Sequence, residues 1–510
     1  MTGSGVLQQG GVCVTFAGMR SALLQRAARC CDHPTAGGRV SLEHRTYALL
    51  WRIGSQPGDL ALRDELRETA SAWACVTEAS TWGAALVLGA LGQAVARLLP
   101  EEHPRLARCI AGRAAAVAET PISHALERVA WAWAVRRACR KPRKHGPEAT
   151  LTDASALASQ HYLSGMLRSP GPGGEVPDLE RTVRAGCLGL VLALREESPS
   201  LKEWAARCLA AVAVHITAQG TLLWNEPPEF ETLWWAVLGL HALGSVTNNP
   251  AHADAARRLI GWLGRRYDAA GVGLLSEVSV FRLADLWSEA GLRGEASAER
   301  AVEWPQQQSI PDSAIALSHA ADRSLGWWWV GDHAPVVAGA LGRHPGFIRC
   351  GPCTLEGGRV QWALASGRPS WEQAMEVDER RYEGDALVWS GHVAVAVPEE
   401  EHIAWLTATG YLCPDALALR VHAPAALRKR LLWRAELPNV PGIRTITRDG
   451  GAAVRFPHGE TWHFRWTPAS LRAMIEWNPG EGGSLLVGPP LPSEFALGDK
   501  GGLARLEGLR

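Results

Sequence analysis

The sequence predicts an α+β multidomain chain, an N-terminal (α/α) toroid followed by a C-terminal antiparallel β-sandwich. Three observations carry that reading. Apolar helix-length segments recur at an interval of about 50 residues. Helices that are apolar nearly all round alternate with amphipathic ones. Beyond residue 345 the helical period gives way to short runs with two-residue alternation.

Five segments open on a glutamate and read as versions of one helix: Glu78 to Trp82, Glu127 to Trp131, Glu180 to Arg184, Glu231 to Trp235 and Glu277 to Phe281. Their starts lie 49, 53, 51 and 46 residues apart, the length of two helices and two connections. His44 to Ile53 reads as a sixth unit. Stretches such as Trp234 to Leu240 are apolar on every side and must be buried all round. Leu201 to Val214 and Ala255 to Tyr267 carry apolar residues on one face only. An inner ring of buried helices inside an outer ring of amphipathic ones satisfies both patterns. An open solenoid is the rival, but it needs polar capping repeats, and here the last helical unit runs into Trp327-Trp328-Trp329-Val330. The glutamates at the repeat starts have a plain structural explanation, since negative charge stabilises a helix N-terminus.

Residues 360–364, 386–389, 392–395, 429–433, 461–466 and 484–487 read as strands, punctuated by Pro438, Pro441-Gly442, Asp449-Gly450-Gly451 and Pro457-His458-Gly459. A string of short strands makes a sandwich rather than a parallel sheet. The expected domains are a toroid over 1–325, a linker over 326–345 and a sandwich over 346–510. Ala301 to Arg343, of mixed pattern, is the inter-domain packing segment. Ser169-Pro170-Gly171-Pro172-Gly173-Gly174 cannot be helical and is expected as an exposed loop.

Composition narrows the function. A chain of 510 residues with 47% hydrophobic and 20% charged residues supports two packed domains. Lys+Arg and Asp+Glu balance at 52 each, so no net field draws it to nucleic acid or anionic lipid. The run from Arg136 to His145 is the densest basic patch, either a docking point for a polyanion or a solvated helix end. No signal-peptide pattern opens the chain, and no stretch approaches the roughly 18 apolar residues that span a bilayer. A soluble, cytoplasmic protein without a membrane partner is expected. Eleven cysteines scattered through apolar segments fit reduced buried thiols. Cys350-Gly351-Pro352-Cys353 has the spacing of a redox pair but lies between strands rather than before a helix. No phosphate loop, His-Glu-x-x-His helix or Gly-x-Ser-x-Gly elbow is present. Neither a metal nor another cofactor is implied.

Candidate chemistry gathers on Trp224-Asn225-Glu226-Pro227-Pro228-Glu229-Phe230-Glu231, which joins an outer helix to an inner one at a mouth of the ring. Eliminative cleavage of a uronic acid polymer needs a base, an acid for the leaving oxygen, and amide or cationic groups that stabilise an enolate-like intermediate. Asn225 supplies an amide. Tyr267, in Arg265-Arg266-Tyr267-Asp268 at the end of an outer helix, is the most suggestive of five tyrosines. His215, His241 and His392 are further candidate bases. Trp224, Glu229, Arg266 and Trp327 are candidate substrate contacts, the tryptophans as platforms for sugar rings. Each has a structural counterpart: a helix-entry turn for the Asn-Glu-Pro-Pro segment, a surface tyrosine, hydrogen-bonded histidines and core tryptophans.

A helical toroid followed by a sandwich resembles the polysaccharide lyases of the chondroitin, hyaluronate and alginate type and the heparinase II/III group, over nearly the whole chain. The resemblance implies a glycan-active protein, a lyase that cleaves an acidic polysaccharide or oligosaccharide by β-elimination. The heparinase signature His-Gly-His-Ala-Asp is absent, His392 standing alone in Ser390-Gly391-His392-Val393, and no family catalytic residue is carried over. Two alternatives stand beside it. A terpenoid-cyclase-like toroid would need Asp-x-Asp-Asp or Asp-Asp-x-x-Asp, and neither is present. A noncatalytic glycan-binding or scaffold protein needs no motif.

Overall fold

The computed structural model describes residues 15–32, 41–76, 81–120, 124–139, 150–160, 165–171, 174–217, 220, 222, 228–247, 249–291, 307–310, 315–319, 324–328, 337–341, 348–356, 359–362, 376–383, 386–396, 403–457, 459–478 and 482–508. The chain divides into two compact units, one of residues 1–161, 179–213 and 228–302, the other of residues 162–178, 214–227 and 303–510.

The first unit is helical: α1 (Phe16–Asp32), α2 (Leu42–Ser55), α3 (Leu60–Cys75), α4 (Trp82–Leu98), α5 (His103–Glu119), α6 (Ala125–Ala138), the short α7 (Ala154–Ala158), α8 (Leu179–Glu196), α9 (Pro199–Val214), α10 (Phe230–Thr247), α11 (Pro250–Arg266) and α12 (Glu277–Glu289). The two expected patterns are clearest in α10 and α3, whereas α2, with only His44, Thr46, Tyr47, Leu49 and Ile53 buried, is amphipathic. In α10 every residue from Thr232 to Gly244 is buried. In α3 only Leu62, Leu66, Ala70 and Trp73 are, one stripe at helical spacing. The inner helices α2, α4, α6, α8, α10 and α12 pack in sequence, each on the next, and α12 returns to α2. This closes the ring. Helices pack closely where small residues meet: a Cβ on Gly92 of α4 would stand 2.6 Å from Ala138 Cβ of α6. Four of the repeat glutamates, Glu127, Glu180, Glu231 and Glu277, occupy first turns of inner helices, and Glu43 does the same in α2. Glu78 lies outside the described residues.

Between α11 and α12 the chain makes a 3-10 turn, Asp268–Leu274, in which Ala269, Ala270 and Gly271 have φ of 47°, 55° and 73°. That left-handed conformation is unfavourable for alanine. Only glycine fits at the third position, where a Cβ would stand 2.3 Å from Phe230 Cζ.

A hairpin, β1 (Leu167–Gly171) with β2 (Gly174–Asp178), occupies the Pro- and Gly-rich segment expected as a loop. The remaining strands are β3 (Gln307–Ile310), β4 (Ile315–His319), β5 (Ser324–Trp328), β6 (Val337–Leu341), β7 (Ile348–Glu356), β8 (Arg359–Trp362), β9 (Glu376–Glu383), β10 (Ala386–Ala396), β11 (Ile403–Leu412), β12 (Ala416–His422), β13 (Leu431–Leu437), β14 (Arg444–Arg448), β15 (Gly451–Arg455), β16 (Thr461–Thr467), β17 (Ala473–Asn478), β18 (Gly482–Val487) and β19 (Glu494–Gly498), with helices α13 (Ala425–Arg428) and α14 (Lys500–Gly508). They form two antiparallel sheets, ordered β14-β15-β16-β19-β12-β11-β10-β9 and β17-β18-β13-β7-β6-β5-β4-β3, with β8 on β7. Their inner faces share one core, in which Trp433 of β13 stacks on Phe495 of β19 with ring centroids 4.5 Å apart.

The sheets therefore start at Gln307, inside the segment assigned from sequence to the end of the toroid and the linker. Strands of four or five residues are too short to display alternation. Cys350 and Cys353 are both fully buried on β7, and their spacing of three puts them on opposite faces of the strand, Cys350 in the main core and Cys353 in a separate cluster. They cannot act as a thiol pair.

Candidate functional site

Inner helices that run the same way bring their first turns together at one end of the ring. Side-chain caps fix several of those turns. Ser41 Oγ accepts from the His44 N–H at 3.2 Å, Thr81 Oγ1 from the Ala84 N–H at 3.3 Å and Ser276 Oγ from the Ser279 N–H at 3.1 Å. Polar and aromatic residues of α2, α4, α8, α10 and α12 then meet in one network.

At its centre is Trp82. The guanidinium of Arg282 lies 4.7 Å from the Trp82 ring centroid and that of Arg184 lies 5.3 Å from it, both within cation–π range. Arg282 pairs with Glu43 at 2.7 Å. Next along α2, His44 Nε2 stands 3.1 Å from Glu277 Oε2. On the other side Arg184 donates to Glu229 at 2.7 Å and to Thr232 at 3.4 Å, with Glu180 3.5 Å away. Trp235 meets Trp82 edge-on at 6.0 Å; its Nε1 donates to Glu231, whose other oxygen accepts from Ser279 Oγ at 2.5 Å. The two guanidiniums are nearly covered, at 11% and 15% exposure, whereas the Glu229 carboxylate is 66% exposed.

Carboxylates outnumber guanidiniums here. The helix N-termini offset part of that surplus, each acting as about half a positive charge. Arg184 and Arg282 are rigidly placed donors, and an incoming carboxylate can take the place of the exposed Glu229. His44 Nε2 is close to the Glu277 carboxylate but makes no hydrogen bond with any described residue, and at 7% exposure the residue is buried.

The opposite end of the ring is built from the same residue types. Arg137 of α6 pairs with Asp285 at 2.5 Å and Glu289 at 3.1 Å, and donates to Gln93. Its side chain is 4% exposed. Beside it an open pocket of about 560 Å³ is lined by Tyr47, Trp51, Gln93, Phe281, Asp285 and others. Tyr47 Oη has no hydrogen-bond partner among the described residues. Burial, and then the charge of Asp285, push this phenol well above its ordinary range. The basic run opening at Arg136 is thus committed inside the fold where it is described: Arg136 pairs with Glu196 at 2.5 Å and Arg137 is buried. Residues 140–149 lie outside the described set.

The residues singled out from sequence fall in different places. Asn225 and Trp224 lie outside the described residues. Glu229 is in the network. Tyr267 is half-buried, its ring 5.0 Å from that of Phe230, the residue after Glu229. Arg266 ends α11 and Trp327 lies in β5, opposite Ala316 and Ala338. His215 is fully buried just beyond α9, and His241 stacks on Phe16 at 3.6 Å inside α10, so neither imidazole opens to solvent in this conformation. His392 is half-buried on β10, edge-on to Trp405 at 5.1 Å.

Sequence reasoning missed Trp82, Arg184, Arg282, Glu43 and His44, although the signal was present. Four residues after each repeat glutamate stand Trp82, Trp131, Arg184, Trp235 and Phe281, one turn further along the same face. Arg184 is the single cation in an otherwise aromatic column.

No family profile matches the chain, and no curated protein matches it by sequence. Solved structures do match. The chondroitin AC lyase of Streptomyces coelicolor A3, solved in complex with chondroitin sulphate, aligns with a TM-score of 0.65 at 12% identity, over 99% of this chain and 82% of that one. A mutant of the same lyase gives 0.60 at 12% identity with the same coverage. A mutant of the heparan sulfate lyase HepC from Pedobacter heparinus gives 0.52 at 9% identity, over 93% and 82%. The likeness establishes the fold: a polysaccharide-lyase-like architecture of (α/α) toroid and antiparallel sandwich. No described helix is long and apolar enough to cross a membrane.

Proposed function

We propose that the protein is a glycan-active lyase that cleaves an acidic polysaccharide by β-elimination at the ring mouth formed by the first turns of the inner helices. The observation that carries this reading is the pair of nearly covered guanidiniums, Arg184 and Arg282, at 5.3 and 4.7 Å from one indole. Fixed cations against an aromatic face suit a sugar ring that bears a carboxylate: the ring packs on Trp82 and the carboxylate engages a guanidinium. In the elimination, the proton α to that carboxylate leaves to a base as the bond to the leaving oxygen breaks. His44, with Nε2 3.1 Å from Glu277, is the base in this scheme. Tyr267, beside Phe230, and Asn225 keep their proposed parts as acid and amide. Arg184 and Arg282 stabilise the charge that develops on the carboxylate oxygens.

The test is to screen alginate, hyaluronate, chondroitin and heparan for rising ultraviolet absorbance, the signature of an unsaturated uronic end. Product formation that Arg184→Ala removes from the folded protein supports the scheme. Absorbance that stays flat on all four polymers contradicts it. A noncatalytic glycan-binding role is the second reading, favoured by the burial of His44, His215 and His241 alike; binding without product would select it.

A further inference from the structure

The outward face of strands β14, β15, β16 and β19 has a composition that sheet stability does not explain. Register places Arg444 directly opposite Arg455, Arg448 and Arg465 on either side of Gly451, and Ile446, Ala453, His463 and Gly498 in one row between them. Like charges opposite one another in an antiparallel pair are destabilising. Yet Arg444, Arg448, Arg455 and Lys500 make no ion pair with any described residue; of the three carboxylates lining the groove, Asp449, Glu494 and Glu507, the last two are taken by Arg420 and Arg465. Within the middle row Ala453 is small and has Gly451 beside it on β15, so the floor sinks between Ile446 and His463. α14 packs over Ala416, Ala418 and Ala496 to one side, leaving an open groove of about 680 Å³ lined by Arg448, Arg455, His463, Arg465 and Lys500 among others. Burial, then Lys500 and Arg465, hold the His463 imidazole below its ordinary range, with Asp499 acting in the other direction.

We propose that this groove is a second, noncatalytic binding surface for an acidic glycan. The two rows of cations stand four residues apart along the strands, a span of about 13 Å, suited to successive anionic groups on an extended chain. The large aromatics of β16, Trp462, Phe464 and Trp466, are buried on the opposite face, so the groove offers no platform for base stacking, on which single-stranded nucleic acids depend. The inference stands apart from the chemistry of the ring: a chain without lyase activity would still hold glycan here.

Isothermal titration of the full chain tests it, with a size-defined chondroitin sulphate oligosaccharide, neutral dextran and a single-stranded oligonucleotide of equal charge. The expected result is oligosaccharide binding that persists in Arg282→Ala and weakens about tenfold or more when Arg444, Arg448, Arg455 and Lys500 are all changed to Ser, with little uptake of dextran or oligonucleotide. Ala453→Leu, which fills the groove without altering charge, should weaken binding as well. Arg444→Ser alone should leave the melting temperature unchanged or raised, because it relieves repulsion. The proposal is overturned if the fourfold variant binds like the unaltered chain, if the oligosaccharide does not bind at all, if the oligonucleotide binds equally well, or if Arg444→Ser lowers the melting temperature.

Discussion

The two ends of the helical ring use the same residue types and put them in different states. At the C-terminal end of the inner helices, Arg137 is 4% exposed and satisfied on all sides by Asp285, Glu289 and Gln93. At the N-terminal end, Arg184 is 11% exposed, but its Glu229 partner is 66% exposed and exchangeable. The first arrangement locks helices together. The second, in the proposed scheme, holds a cation in place for a substrate carboxylate. An arginine–carboxylate pair therefore says little by itself, and the exposure of the partner separates structure from function.

The largest effect should come from the locked end. Arg137→Ala leaves Asp285 without its cation and Glu289 with Arg195 alone, and should lower the unfolding free energy by about 3–5 kcal/mol, read from denaturant midpoints. A loss under about 1 kcal/mol, typical of a surface pair, would erase the distinction drawn between the two ends. At the mouth the effect should fall on turnover. His44→Gln should reduce the elimination rate about a hundredfold with a small change in midpoint, and Arg282→Lys should do likewise because a lysine cannot reproduce the planar contact with Trp82.

The general plan was legible because it rests on period. Fixed hairpin spacing and the change to alternation identified ring and sandwich. The glutamate column marked the first turns of the inner helices. What lay hidden was non-local. Trp82 and Arg282 are brought together by ring closure between α12 and α2, which no spacing records, and β3 to β6 are too short to show a pattern. The glutamates were read as helix-end charges, and that is part of their role. Glu180 and Glu231 also position Arg184 and Trp235, and Glu277 lies 3.1 Å from His44. Of the histidines chosen by proximity along the chain, His241 is buried because its helix, α10, is buried nearly all round, and His215 is buried just beyond the end of α9.

Smaller effects sharpen the comparison. Tyr47 should be the last tyrosine to ionise in a spectrophotometric titration, since burial holds its phenol well above the ordinary range. Its raised folded value means that the stability linked to it is full below the unfolded tyrosine pKa of about 10 and is lost as pH rises beyond it. Tyr47→Phe should abolish that alkaline loss. Smallest of all, Ala269→Gly relieves a left-handed alanine at φ 47° and should raise stability by about 0.5–1 kcal/mol; a decrease would mean that this turn is not strained.

The central claim, that the mouth of the ring and not its base meets the glycan, is tested most directly by the rate of ultraviolet absorbance increase on an acidic polysaccharide for Arg282→Lys and Tyr47→Phe side by side. The account predicts a rate near zero for the first and an unaltered rate for the second. The reverse result, Arg282→Lys at full rate and Tyr47→Phe inactive, would move the site to the pocket at the other end.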